Sequence, residues 1–192
     1  MEDIILIGGG GHCKSVIDVI EEENRFNIAG VVEKKHCSEG KILNYDVIGS
    51  DEDLDYLVKK IKYAIISVGQ IYTVELRIKL FEQAKKTGFI LPCIVSPRAY
   101  VSKYATIGEG TVIAHDVLIN ANVEIGKNCI INSKALIEHD SKVKDNCHIS
   151  TGALINGGVM VGENSFVGSG AITKQNISIR ENSFIKAGSV VK

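Results

Sequence analysis

The chain has 192 residues, 22 Lys or Arg against 23 Asp or Glu, and a formal net charge of −1. With no basic run, that balance argues against a nucleic-acid or membrane surface, and 45% hydrophobic residues with only two prolines argue against disorder. The start, Met1-Glu2-Asp3, is acidic where a secretory signal is basic, and no apolar stretch approaches the ~20 residues that span a bilayer, so a soluble, cytoplasmic protein is expected.

Ile4 to Ile7 is a short apolar run that ends in Gly8-Gly9-Gly10-Gly11-His12, and behind it Val16, Ile17, Val19 and Ile20 recur at helical spacing. A second run, Ile28 to Val32, ends in Glu33. An acidic helix start at Asp51-Glu52-Asp53, a strand over Ala64 to Val68 and a helix from Thr73 to about Lys86 follow. Alternating strands and helices of this length predict βαβ units on a parallel sheet. Glycines after a strand let the backbone approach a phosphate, and the next helix N-terminus favours its charge. The G-x-G-x-x-G fingerprint fails, because Cys13 stands where the third glycine belongs. The turn therefore reads as a nucleotide site ahead of a purely structural turn or an NAD site. Glu33 fits either a ribose acceptor or an exposed acid at the end of a strand.

From Val95 an aliphatic residue recurs every sixth position through Val101, Ile107, Ile113 and onward to Val167; Thr173 interrupts, and Ile179, Ile185 and Val191 resume the register. The fourth residue after each is usually small or β-branched. Within this repeat, Asn128, Asn146, Asn164 and Asn182 stand 18 residues apart, as do Gly152, Gly170 and Gly188. Asn and Gly tolerate left-handed backbone, so both series mark corners. Three hexads then make one coil of a triangular prism, with residues i and i+18 stacked ~4.8 Å apart. The predicted fold is an α/β Rossmann-like domain over residues 1–92 and a left-handed parallel β-helix over 93–192.

The five cysteines form no C-x-x-C pair and read as reduced thiols, with Cys129 and Cys147 stacked as core filler. His139, in Ile137-Glu138-His139-Asp140, points outward just before a corner, and the residue stacked on it is Gly157. An imidazole base beside an unshielded backbone N–H suits acyl transfer. A neighbouring carboxylate can fix the imidazole tautomer, Asp140 being the nearer candidate and Glu138 the second. His148 is placed to face the same groove, while His115 reads as surface. A zinc hydratase of the γ-carbonic-anhydrase type needs three converging histidines, and the spacing of His115, His139 and His148 does not supply them; no metal is expected.

Three stretches, Ile7-Gly8-Gly9-Gly10-Gly11-His12, Asn132 to Asp140 and His148-Ile149-Ser150-Thr151-Gly152-Ala153, resemble the NeuD/PglD family of bacterial sugar acetyltransferases. The resemblance covers essentially the whole chain. It implies a homotrimer with acetyl-CoA, the co-substrate, bound in active sites between subunits, and a nucleotide-linked amino sugar held by residues 1–92. Carried over, His139 is the base and Asp140 its orienting acid, and His148 and the Gly157 amide contact the acetyl-CoA end. Gly10, His12, Glu33, Gly69 and Gln70 contact the nucleotide sugar. The implied reaction is N-acetylation of a nucleotide-linked sugar, of which a UDP-linked 4-amino-4,6-dideoxy hexose is the favoured case. O-acetylation of a free sugar such as a sialic acid is the alternative, and a non-catalytic nucleotide-sugar-binding scaffold stands behind both. Where relatives carry Glu after the histidine, this sequence has the shorter Asp140. A Gly-x-Pro-Ala-Lys tail that encloses CoA in relatives is expected either to be lacking or to lie beyond Lys192.

Overall fold

The computed structural model describes residues 1–34 and 40–192. It divides into two compact units, one of Met1–Gly69 with Glu75–Pro92, the other of Gln70–Val74 with Cys93–Lys192, so residues 70–74 group with the second unit.

The first unit runs β1 (Glu2–Ile7), α1 (Gly11–Glu23), β2 (Phe26–Val32), β3 (Lys41–Ile42), β4 (Tyr45–Gly49), a 3-10 turn at Asp51–Asp53, α2 (Leu54–Leu57), β5 (Tyr63–Ile66) and α3 (Glu75–Thr87). Its sheet has the order β3-β4-β2-β1-β5, parallel throughout except for β3 against β4. β1 lies inside the sheet between β2 and β5, and its Ile4–Ile7 segment is fully buried, as a strand covered on both faces must be. Helix α1 buries Cys13, Val16, Ile17, Val19 and Ile20 on one face and stops where Asn24 turns left-handed at φ 51°. Ser50 caps the 3-10 turn in a reciprocal box with Asp53. The expected helix start at Asp51 is thus a single tight turn that runs into α2.

The second unit is a prism of two-residue strands in three parallel sheets. One face runs from Ile94–Val95 to Phe184–Ile185, the second from Tyr100–Val101 to Val190–Val191, and the third from Thr106–Ile107 to Ser178–Ile179. Each strand pairs with the one 18 residues on, Ile119 opposite Ile137 and Ile137 opposite Ile155. The inward aliphatic of nearly every hexad is buried, and only the terminal coils, with Val95, Val101, Ile107, Ile185 and Val191, are partly open. Each fully buried Val or Ile contributes ~1.5–3 kcal/mol. Left-handed corners fall in three series: Gly110, Asn128, Asn146, Asn164 and Asn182; Asp116, Lys134, Gly152, Gly170 and Gly188; and Asn122, Asp140, Gly158 and Asn176. The third of these, which contains Asp140, is not marked in the sequence by a repeated residue type. In the first, successive asparagines donate side chain to side chain, Asn128 to Asn146 at 2.9 Å and on to Asn164 and Asn182 at 3.2 Å each. No helix among the described residues is long and apolar enough to cross a membrane.

Candidate active site

His139 and Asp140 close a corner on the outside of the prism, with side chains 60% and 57% exposed. Asp140 has left-handed backbone at φ 61°, which an Asp tolerates better than most residues. This turn brings its Oδ2 to 2.8 Å from His139 Nδ1. Its other oxygen accepts from Asn122 Nδ2 at 2.8 Å. Asn122 first and His139 second hold the Asp140 carboxyl below the usual carboxylate range, and the bond to Asp140 holds the imidazole above its ordinary range. An ionised carboxylate only accepts, so Nδ1 carries the proton and the neutral ring presents a lone pair at Nε2. Glu138, the second candidate for this role, accepts instead from Asn120 Nδ2 at 2.7 Å.

Gly157 lies against the other edge of the ring. A Cβ there would stand 2.9 Å from both Cε1 and Nε2 of His139, so the imidazole occupies the space a side chain would need. The next residue, Gly158, donates its N–H to the His139 carbonyl at 2.9 Å. Among the described residues the Gly157 N–H has no acceptor in the protein. An imidazole lone pair and a spare backbone donor thus share one corner.

His148 is buried on the first face. Its Nδ1 is hydrogen-bonded to the Gln70 carbonyl, and Phe166 meets its ring edge-on at 5.1 Å. Gln70 is itself buried and spends its amide on the Asn146 carbonyl at 2.9 Å. Gln70 thereby joins His148 rather than the glycine turn. His115, expected on the surface, is half-buried with Nδ1 2.7 Å from Ser96 Oγ.

In the first unit Gly8 has φ +107°, and a Cβ there would collide with Val68 at 2.3 Å. Gly8 makes the turn; Gly10, the N-cap of α1, faces open space. Glu33 accepts from the Gly9 N–H and, at 2.9 Å, from the Lys34 N–H, so its carboxylate braces the glycine turn. His12 packs beside Gly69, where a Cβ would lie 3.3 Å from its own. Two residues the sequence did not single out fix the neighbouring loop. Ser67 Oγ donates to the Gly8 carbonyl at 2.6 Å, and buried Arg77 Nη1 reaches the carbonyls of Ile66 and Val68 at 2.8 Å each. A buried arginine leaves no periodic trace, whereas Asn122 was findable by counting 18 back from Asp140. A cavity of about 300 Å³ opens beyond β2 and β4, lined by Glu33, Lys34, Val47, Gly49, Ser50, Glu52 and Asp53.

Cys13, Cys129 and Cys147 are buried and Cys93 is half-buried, while Cys37 lies outside the described residues. Among the described residues no group of three or more His, Cys, Asp or Glu is placed to hold a metal ion.

The family profile of the PglD N-terminal domain matches residues 3–84. The bacterial transferase hexapeptide profile matches residues 104–139, and that of the succinyl-transferase hexapeptide repeat matches residues 158–192. No curated protein matches the sequence. Among solved structures, perosamine N-acetyltransferase from Caulobacter crescentus, a mutant in complex with CoA and GDP-perosamine, is 31% identical with a TM-score of 0.93; the match covers 100% of this chain and 89% of that one. The acetyltransferase domain of PglB from Neisseria gonorrhoeae FA1090, in complex with acetyl coenzyme A, is 27% identical with a TM-score of 0.89, over 99% of this chain and 92% of that one. WeeI from Acinetobacter baumannii AYE, at 20% identity and a TM-score of 0.75 over 100% of this chain and 97% of that one, shares the fold. An α/β domain joined to a left-handed parallel β-helix, with identity of 31% along the full chain, places this protein in the NeuD/PglD-like family of hexapeptide-repeat sugar acetyltransferases.

Proposed function

We propose that the chain transfers the acetyl group of acetyl-CoA to the amino group of a nucleotide-linked amino sugar, with a 4-amino-4,6-dideoxy hexose as the acceptor class. One observation carries the reading: an imidazole oriented by Asp140 at 2.8 Å lies directly against a glycine whose N–H is unspent. The relatives crystallised with CoA, acetyl coenzyme A and GDP-perosamine support the donor and the acceptor class.

His139 Nε2 takes a proton from the acceptor amine as its nitrogen adds to the thioester carbon. The carbonyl π-electrons move to oxygen, and the Gly157 N–H donates to that oxyanion. Collapse re-forms the carbonyl and breaks the C–S bond. The imidazolium returns its proton to the departing CoA thiolate, leaving the amide and free CoA. Asp140 stays ionised and stabilises the imidazolium. His148, fixed by Gln70, is assigned to the acetyl-CoA end. Gly10, His12 and Gly69, with Glu33 as a brace of the glycine turn, are assigned to the nucleotide sugar.

A homotrimer fits the outer surface of the second face, where Tyr100, Leu118, Leu136, Leu154, Ile172 and Val190 succeed one another. The third face shows Thr106, Glu124, Lys142, Met160 and Ser178 instead. A stripe apolar over every coil is the pattern of a surface covered by other copies of the chain.

The test is CoA release from acetyl-CoA, followed with a thiol reagent, against UDP-linked and GDP-linked 4-amino sugars and a free sialic acid. Turnover with one amino-sugar nucleotide, cut ~10²–10⁴-fold in His139→Ala, is expected. Turnover with the free sugar alone would select O-acetylation, and wild-type turnover in the variant would refute the mechanism.

A further inference from the structure

The inner columns of the prism contain two polar residues that converge on the backbone of one residue, Asn156. The column Val101, Ile119, Ile137, Ile155, Thr173, Val191 is aliphatic except at Thr173. The column Ala105, Val123, Ser141, Val159, Ile177 is apolar except at Ser141. Both polar residues are fully enclosed, Thr173 at 1% exposure and Ser141 at 0%. Both bond Asn156, the residue before Gly157: Thr173 Oγ1 accepts from the Asn156 N–H at 2.9 Å, and Ser141 Oγ donates to the Asn156 carbonyl at 2.9 Å.

Thr173 also changes the ladder. At every other equivalent rung among the described residues, the N–H that follows an inward side chain donates to the inward residue's carbonyl one coil on, as Asn120 does to Ile137, Glu138 to Ile155 and Lys174 to Val191. At Asn156 the threonine hydroxyl takes that N–H, and the displaced Thr173 carbonyl accepts from Asn156 Nδ2 at 2.6 Å. Strand pairing between these coils accordingly stops at Leu154–Ile172, whereas the coils on either side pair at both residues. A valine at position 173 would keep the column apolar and leave the ordinary rung intact.

We infer that Thr173, Asn156 and Ser141 are positioning residues that aim the Gly157 amide at the developing oxyanion, an inference that rests on reading Gly157 as the oxyanion donor. The peptide between Asn156 and Gly157 is planar and trans, so its C=O and N–H point in opposite directions. Ser141 pins the carbonyl end from inside the prism and thereby fixes the N–H direction outward. Thr173 fixes the preceding peptide, whose N–H is that of Asn156, relative to the next coil, and the Asn156 side chain locks the arrangement.

The test measures steady-state CoA release, with melting temperature as a check on folding, for Thr173→Val, Thr173→Ser and Asn156→Ala beside His139→Ala. Thr173→Val and Asn156→Ala should lower kcat roughly tenfold or more while leaving KM for acetyl-CoA and for the acceptor unchanged. Thr173→Ser, which keeps the hydroxyl, should stay within about twofold of wild type, and Thr173→Val, which removes a buried hydroxyl and frees the ordinary rung for the Asn156 N–H, should melt no lower than wild type. Wild-type kcat in both Thr173→Val and Asn156→Ala, with His139→Ala inactive, would overturn this inference and leave the proposed function standing. Equal losses in Thr173→Ser and Thr173→Val, or a matching rise in KM, would also overturn it by assigning these residues a merely structural role. No CoA release by the wild type with any acceptor would overturn the proposed function, and the inference with it.

Discussion

The two units make glycines do different work, and Gly8 and Gly157 show how. Gly8 is buried with φ +107°, and a Cβ would meet Val68 Cγ2 at 2.3 Å and the Val68 backbone nitrogen at 3.1 Å. Its neighbours are backbone and core, and neither can move. The obstacle at Gly157 is the His139 ring, at 2.9 Å, the mobile end of an exposed side chain. In the α/β unit glycine serves the fold; at the prism corner it serves the position of one imidazole. Replacing each should therefore separate stability from activity.

The largest effect is expected from Gly157→Ala. The ring can swing away from the new methyl at little cost in stability, but that motion breaks the bond to Asp140 and carries Nε2 off its line. A loss of roughly 10²-fold in kcat is expected, with an unchanged melting temperature. A fall in both would mean that the corner is structural after all. Gly8→Ala should do the reverse, costing about 2–4 kcal/mol in urea unfolding from the left-handed backbone and the fixed contact. Gly10→Ala sharpens the contrast. Gly10 sits at φ −70° with nothing within 4 Å of a new Cβ, so stability should hold. If the glycine turn carries the nucleotide, KM for the sugar nucleotide should rise several-fold with kcat intact.

A smaller effect lies in pH. In the proposed mechanism His139 must be neutral to serve as the base, and the bond to Asp140 raises its pKa, so the acid limb of kcat should lie above the ordinary imidazole range. Asp140→Asn removes the main cause of that shift. The limb should move to lower pH, and the plateau should fall about tenfold because the tautomer is no longer enforced. A limb that stays in place would separate it from His139.

The units also differ in how far their residues could be read from sequence. In the prism every side chain has stacked neighbours at ±18, so the coils, the inward columns and the approach of Gly157 to His139 follow from counting. Asn122, Ser141 and Thr173 were within reach of the same count, because each breaks or extends a column. The hydrogen bond of Thr173 was not, since a ladder displaced by a hydroxyl leaves no periodic signal. The α/β unit offers no such column. Its strands and glycine turn are legible from hydrophobic runs, but the roles of Ser67, Arg77 and Glu33 depend on contacts between residues far apart in sequence. Gln70 shows the limit well: it neighbours Gly69 in sequence, yet both its amide and its carbonyl are engaged by the prism unit at Asn146 and His148.

The smallest effect tests whether the column logic reaches individual atoms. Thr111, Cys129, Cys147 and Ser165 stack in one inner series, and each donates to a carbonyl 15 residues on; for Cys147 that is Gly162 at 3.1 Å. Burial pushes the Cys147 thiol up to about 12 and that of Cys13 up to about 11, so neither forms an appreciable thiolate near neutral pH. Neither should consume a thiol reagent in the folded protein. Because Ser165 already fills the next place in the series, Cys147→Ser should be accepted within ~0.5–1 kcal/mol. Cys147→Ala loses the donor and leaves the Gly162 carbonyl with one partner fewer, which should cost about 1–2 kcal/mol in urea unfolding. If alanine proved as stable as serine, the series would be packing alone, and polar residues inside the prism would lose their value as markers of a directed hydrogen bond.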